Sequence, residues 1–258
     1  MLIFESHAHY DDEQFDEDRD EILSALPKSG IEYVVNVSSN PESVKSTLKL
    51  AAEHDFIYAA VGIHPSDVEG LPEDTLDWVR EQLKAPKVVA VGEIGLDYYW
   101  DWEEEVQDLQ KVWFRRQLGL AREANLPVII HSRDAAKETM DIMVEEDAGS
   151  IGGVVHCYSY SPEMAMDYVK MGMFIGIGGV VTFKNAKKLK ETAAAVPLEN
   201  IVIETDCPYL APEPNRGKRN SSLNLPYVIS AIAEIKGITE EEVAQATYDN
   251  AKRLYRIE

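Results

Sequence analysis

The sequence predicts an α/β fold, a (β/α)8 TIM barrel with one additional C-terminal helix. Eight short apolar, β-branched runs recur along the 258 residues, and longer stretches of helical period lie between them. The runs are nearly continuous in hydrophobic residues, as strands of a parallel sheet covered on both faces are. A doubly wound open sheet is the other architecture made from such units, but no Gly-x-Gly-x-x-Gly follows any run.

The elements follow in order. The apolar start gives a strand over Leu2–Glu5, and Asp16–Lys28 has the mix of a solvated amphipathic helix. Strands are predicted next over Tyr33–Val37 and Ile57–Gly62, separated by a helix over Glu42–His54. A helix over Glu73–Lys84 leads into Val88–Glu93, whose Val-Val-Ala-Val start is among the longest apolar stretches of the chain. Glu104–Ala124, long and rich in helix formers, precedes the fifth strand, Pro127–His131. Ala135–Glu146, Pro162–Met171 and Ala186–Val196 read as helices alternating with strands over Gly153–His156, Met173–Gly178 and Ile201–Glu204. Leu225–Lys236 supplies the eighth helix and Glu240–Tyr255 the added one. The late Gly176-Ile177-Gly178-Gly179 lacks the spacing of a dinucleotide loop and reads as clearance at a crowded barrel mouth.

With 45% hydrophobic residues and no repeat, low-complexity tract or Pro/Gly linker, residues 1–258 form a single domain. Apolar stretches of strand length exclude a transmembrane span, and the N-terminus lacks the pattern of a secretory signal. Cys157 and Cys207 are the only cysteines, which suits a reduced, cytoplasmic protein. Each directly follows a polar strand-end residue and is expected to face away from it as a buried structural thiol. A net charge of −21 argues against broad attraction to nucleic acid or anionic membranes. The first 130 residues hold 27 acidic against 11 basic groups, so the C-terminal half is far less acidic.

Polar residues able to bind a metal gather at the carboxyl ends of the predicted strands. His7 and His9 follow the first, His64 the third, Glu93 ends the fourth, His131 the fifth, His156 the sixth, and Asp206 follows the eighth. Only His54, among six histidines, stands apart, within a helix. In a barrel these strand ends meet at one mouth, where active sites form. Imidazole and carboxylate donors suit zinc, manganese or magnesium without a redox role. Four of these histidines with Glu93 and Asp206 make six ligands, more than one tetrahedral ion needs. Two ions bridged by a carboxylate would clamp the oxygens of a displacement and activate water.

The stretches Ser6-His7-Ala8-His9, Gly62-Ile63-His64-Pro65, Gly92-Glu93-Ile94-Gly95-Leu96-Asp97-Tyr98, His131-Ser132-Arg133-Asp134, His156-Cys157-Tyr158-Ser159, Glu204-Thr205-Asp206-Cys207-Pro208 and Arg216-Gly217-Lys218-Arg219-Asn220 occur in this order nearly end to end. In this combination the chain resembles the TatD family of metal-dependent deoxyribonucleases. The resemblance implies that His7, His9 and Asp206 hold one divalent ion, that His131 and His156 hold a second, and that Glu93 bridges them. It implies Asp206 as general base and gives His64 and Arg133 contacts with substrate phosphate. For Glu204 it implies orientation of the ligands, beside an equally open structural role. Two departures stand out. The family pattern continues Arg-Asn with Glu-Pro where this chain has Ser221-Ser222, and Tyr160 replaces a common glycine.

Substrate is expected to meet Arg216, Lys218 and Arg219 in the loop after the eighth strand, where barrels commonly bind phosphate. Lys184, Lys187 and Lys188 follow the seventh strand, while Lys190 reads as solvated helix surface. A few phosphates gripped at one mouth favour short substrates over long duplex. Tyr98, Tyr99, Trp100 and Trp102 could stack bases there or form a packed rim. The expected activity is hydrolysis of DNA phosphodiesters from single-stranded 3′ ends, with no obligate protein partner. A metal-dependent ester or amide hydrolase, such as an aminoacyl-tRNA deacylase, is the alternative with the same ligands. A non-enzymatic metal-binding protein would leave the bridging set unexplained.

Overall fold

Strands β1 (Ile3–Ala8), β2 (Ile31–Val37), β3 (Ile57–Val61), β4 (Val88–Asp97), β5 (Val128–Arg133), β6 (Gly153–Val155), β7 (Met173–Ile177) and β8 (Ile201–Ile203) form one sheet in chain order, each parallel to the next. The computed structural model describes residues 1–258. Ala8 bridges in parallel to Cys207, and the Ser6 hydroxyl donates to the Ile203 carbonyl at 2.9 Å. Those contacts close the sheet into the expected (β/α)8 barrel.

The outer ring comprises α1 (Arg19–Ala25), α2 (Pro41–Glu53), α3 (Thr75–Gln82), α4 (Glu104–Ala124), α5 (Ala136–Glu145), the one-turn α6 (Ala148–Ile151), α7 (Pro162–Lys170), α8 (Lys187–Ala195) and α9 (Leu225–Lys236). The added helix is α10 (Glu240–Tyr255). Local chemistry sets several boundaries. Asn40 accepts from the backbone N–H groups of Glu42 and Ser43 and so caps α2, with Pro41 at the first helical position. Thr239 and Glu242 form a reciprocal capping box on α10, while Asn125 and Gly237 end α4 and α9 in the left-handed conformation. The helix predicted over Asp16–Lys28 is only α1, flanked by 3₁₀ turns at Glu13–Phe15 and Pro27–Ser29. Pro27 has no N–H to continue the ladder.

Each strand contributes to a cluster of 14 buried apolar residues: Phe4, Val35, Ala60, Ala90, Ile129, Val154, Phe174 and Val202 in strand order, among others. Tyr248, Ala251, Leu254 and Tyr255 of α10 complete it. The Tyr255 ring stacks on Phe4 at 5.9 Å, and its hydroxyl donates to the Ser6 carbonyl at 2.8 Å. Asn250 donates to the carbonyls of Leu198 and Ile201 where β8 begins, so α10 covers the N-terminal end of the barrel. A larger apolar layer of 55 buried residues separates strands from helices. From Ile129, Val154 and Val202 the strand period of two leads to His131, His156 and Glu204 at the opposite end.

Four strands run further than predicted: β2 begins at Ile31 and β5 continues to Arg133, and the other two extend at their carboxyl ends. β1 continues through His7 to Ala8, and β4 continues past Glu93 to Asp97. A register shift between Val91 and Ile94 lets the end of β4 pair Gly95 with His131 and Asp97 with Arg133. That extension depends on Gly95: its φ is +146°, and a Cβ there would lie 1.9 Å from the His131 carbonyl oxygen. Gly95→Ala should therefore lower stability by about 2 kcal/mol or more, a fall of roughly 4–8 °C in Tm for a chain of this size. Thermal unfolding followed by circular dichroism checks this, and a wild-type Tm would contradict it.

Candidate metal centre

Five histidines surround one carboxylate at the C-terminal end of the barrel. Glu93 is buried, with Oε1 2.6 Å from His131 Nδ1, 2.5 Å from His156 Nε2 and 3.9 Å from His64 Nε2. Its Oε2 faces the other half of the cluster, 3.4 Å from His7 Nε2 and 3.9 Å from His9 Nε2. Asp206 Oδ1 completes that half at 3.6 Å from His7 Nε2 and 3.3 Å from His9 Nε2. His7 stacks against His156 with ring centroids 4.0 Å apart, which brings the two halves side by side. The donor atoms of His7, His9 and Glu93, and likewise those of Glu93, His131 and His156, lie within 4.8 Å of one another.

Backbone geometry aims these side chains. His7 lies in β1, His131 in β5 and Glu93 in β4, whereas His156 and Asp206 fall just beyond β6 and β8. Asp206 has φ +56°, which aspartate tolerates better than most residues, and its N–H donates to the His7 carbonyl at 3.0 Å. His9 Nδ1 bonds the Val37 carbonyl at 2.8 Å, leaving Nε2 for the centre. Gly176 has no Cβ to collide with the Glu204 carboxylate, which would be 2.5 Å away, so glycine provides clearance at this point of the mouth.

The electrostatics suit a bound cation. Burial pushes His7 down to about 4 and His64 down to about 3, so both are neutral near pH 7 with lone pairs available. Burial opposes ionisation of Glu93, but His156 and His131 outweigh it and hold the carboxyl well below its usual range. Burial likewise opposes charge on His9, yet Asp206 holds its proton up to about 10. His7 Nε2 and His9 Nε2 meet at 3.1 Å. Converging imidazole nitrogens and two ionised carboxylates are the donor set of a borderline or hard divalent ion. The residues present fit such an ion, and Glu93 has one oxygen for each half.

Supporting residues extend beyond the six expected ligands. Asp97 accepts from His131 Nε2–H at 2.9 Å through Oδ2, fixing which nitrogen faces Glu93. Its Oδ1 accepts from the N–H groups of Tyr99 and Trp100. Gln110 of α4 bonds both the N–H and carbonyl of Asp97, and Gln117, on the same helix face, does the same for Ile63 beside His64. Sequence reasoning overlooked all three, although two glutamines seven apart on an otherwise apolar helix face were a readable signal. Buried Glu5 was overlooked too: it accepts from the N–H of His7, the N–H of Thr205 and the Thr205 hydroxyl, joining β1 to the segment carrying Asp206. Glu204 is buried, accepts from the Cys157 N–H and has Oε1 3.7 Å from His156 Nδ1.

The expected substrate contacts divide. His64 sits inside the cluster, its ring 4.4 Å from that of His131. Arg133 lies over the Tyr99 ring at 3.8 Å, and Arg216 over Phe183 at 4.2 Å. Lys218 is exposed and makes no ion pair. Arg219 is placed otherwise than expected: it pairs with Asp18 at 2.8 Å, bonds the Gln14 carbonyl and covers Phe15, so its charge is neutralised within the fold. Cys207 is buried as expected, but Cys157 is only half-buried because β6 ends at Val155 and Cys157 turns to φ +44°. Ser222 is buried and bonded to the Tyr10 hydroxyl, while Tyr160 bonds Ser132, so both departures from the family pattern have defined structural partners.

A family model described as TatD related DNase matches residues 4–256. The chain belongs to the TatD family of metal-dependent hydrolases. It is 45% identical to the metal-dependent hydrolase YabD of Bacillus subtilis (strain 168), with 99% of this chain and 100% of that protein covered. The 3′-5′ ssDNA/RNA exonuclease TatD of Rahnella sp. (strain Y9602) is 30% identical over 99% of this chain and 98% of its own. Among solved structures, the TatD homologue YjjV of Escherichia coli K12 superposes with a TM-score of 0.92 at 30% identity, covering 99% and 98% of the two chains. TatD membership accounts for the histidine-lined mouth but leaves open how His131 is held. Asp97→Asn, which keeps the shape and removes the anion, should weaken divalent-ion binding about 10–100-fold. Calorimetric titration with Mn²⁺ checks this, and wild-type affinity would contradict it.

Proposed function

We propose that this chain hydrolyses phosphodiester bonds of single-stranded DNA from the 3′ end, using two divalent ions. The arrangement of Glu93, one oxygen toward each half of the histidine cluster, is the observation that carries the reading. His7, His9 and Asp206 would hold one ion and His131 and His156 the other, with Glu93 shared. Divalent ions bound there supply Lewis acidity toward a phosphoryl oxygen and make water a competent nucleophile near neutral pH. Asp206 has the most open side chain of the six, 18% exposed, and is placed to take the proton from attacking water. The P–O bond to the neighbouring nucleotide breaks as the new P–O bond forms, and the departing oxygen acquires a proton.

Charge at the mouth supports a phosphate substrate despite the net −21. Lys218 is unpaired, and Arg216 rests on an aromatic ring rather than a carboxylate, so both remain available to phosphate. The name of the Rahnella relative supports the polarity and the single-stranded preference. No helix is long and apolar enough to cross a membrane, and the reduced cysteines accord with a cytoplasmic enzyme.

Asp206→Asn and Glu93→Ala should each reduce turnover of 3′-end-labelled single-stranded DNA by about 100-fold or more while remaining folded. Chelation should abolish wild-type activity and Mg²⁺, Mn²⁺ or Zn²⁺ restore it; full activity in either variant would remove the assignment. Arg216→Ala combined with Lys218→Ala should weaken DNA binding and reduce its salt slope by about 2. Hydrolysis of a neutral ester with unimpaired rate, alongside no action on DNA, would instead favour an ester or amide hydrolase.

A further inference from the structure

The loop after β4 ends in large rings that the fold does not use. Of the four aromatics there, Tyr98 packs against the core, whereas Tyr99, Trp100 and Trp102 are 51%, 63% and 75% exposed. Tyr99 and Trp100 meet edge to face with centroids 4.7 Å apart, and Arg133 lies over Tyr99. The loop is held firmly and close to the centre, because Asp97 binds its N–H groups with one oxygen and His131 with the other. Its flank, however, is acidic, with Asp101 and Glu103–Glu105 in succession. Such a surface repels phosphate yet offers flat apolar faces beside a single cation. The group that fits is planar, uncharged and attached to a backbone whose phosphate lies elsewhere, toward the centre.

We propose that Trp100, with Tyr99 and Arg133 against it, and Trp102 on the same loop form a stacking platform for an unpaired nucleobase next to the scissile phosphate. The proposal rests on the nucleic-acid reading of the centre and adds the subsite that recognises single strands. A paired base presents its faces to its neighbours and cannot occupy the platform, whereas every unpaired base has a free π-face. The platform therefore selects strandedness without selecting sequence.

Two measurements test it. Trp78 and Trp113 are partly or fully buried, so quenching of tryptophan fluorescence reports chiefly Trp100 and Trp102. Asp206→Asn protein with Mn²⁺, titrated with a short oligothymidylate and with a base-free deoxyribose-phosphate oligomer of equal length, should be quenched at about tenfold lower concentration by the former. Equal quenching by both, or quenching by neither, overturns the platform. In turnover, Trp100→Ala/Trp102→Ala should lower the rate on dilute oligothymidylate about tenfold or more. Wild-type enzyme should lose as much on an oligomer with abasic 3′ units, and the two losses should not add. A wild-type rate for the double variant overturns the proposal. If wild-type protein leaves the oligothymidylate intact while base-dependent quenching persists, the nuclease reading fails and the platform stands.

Discussion

A carboxylate held out of water among five imidazoles imposes its requirements on everything around it. Removing an anion of that size from solvent costs several kcal/mol even after relaxation, and Glu93 has neither lysine nor arginine within ion-pair distance. Histidine can compensate in two ways, by carrying a proton or by sharing a cation with the carboxylate. Burial makes the proton expensive at every ring and prevails at His7 and His64, whereas Glu93 outweighs it at His131 and His156 and Asp206 at His9. Divalent ions would satisfy both partners at once, with anionic oxygens and neutral nitrogens as donors. The same balance explains why supporting carboxylates, Asp97 and Glu204, stand behind the rings of His131 and His156.

Barrel geometry turns that local demand into a whole-chain design. Below the cluster, residues from every strand fill an apolar layer and α10 seals the far end. Above it, regular pairing gives way to single-purpose contacts. Gln110 and Gln117 act as substitute backbone partners for Asp97 and Ile63, each offering an amide with one donor and one acceptor side. Buried backbone groups left without partners would each cost roughly 1–3 kcal/mol, so these side chains let β4 extend and the β3 loop turn without that loss.

Residues that obey a period were readable in the sequence; residues that answer a neighbour distant in the chain were not. All eight strands follow from apolar runs, and the convergence of His7, His9, Glu93, His131, His156 and Asp206 follows from their places at or just beyond strand ends. The extension of β4 to Asp97 could not be anticipated, because it depends on Gly95 passing close to the His131 carbonyl. Arg219 shared a basic loop with Arg216 and Lys218, and nothing local indicated that Asp18 would claim it. Exposure of the tryptophans was equally hidden, since a packed rim and a free platform have the same composition.

Closure of the barrel joins partners distant in the chain: the Glu5 carboxylate meets Thr205 across 200 residues, and Asp206 meets the His7 carbonyl. Contacts of such separation form late, after the intervening loop entropy has been overcome. A nascent chain emerging from the ribosome thus exposes its histidine pair, His7 and His9, long before Asp206 exists. Until β8 docks, the half-centre made by β1 is an open imidazole pair with little power to retain an ion. The complete set of ligand-type side chains therefore exists only once β8 has docked, so assembly of the candidate centre is coupled to completion of the ring.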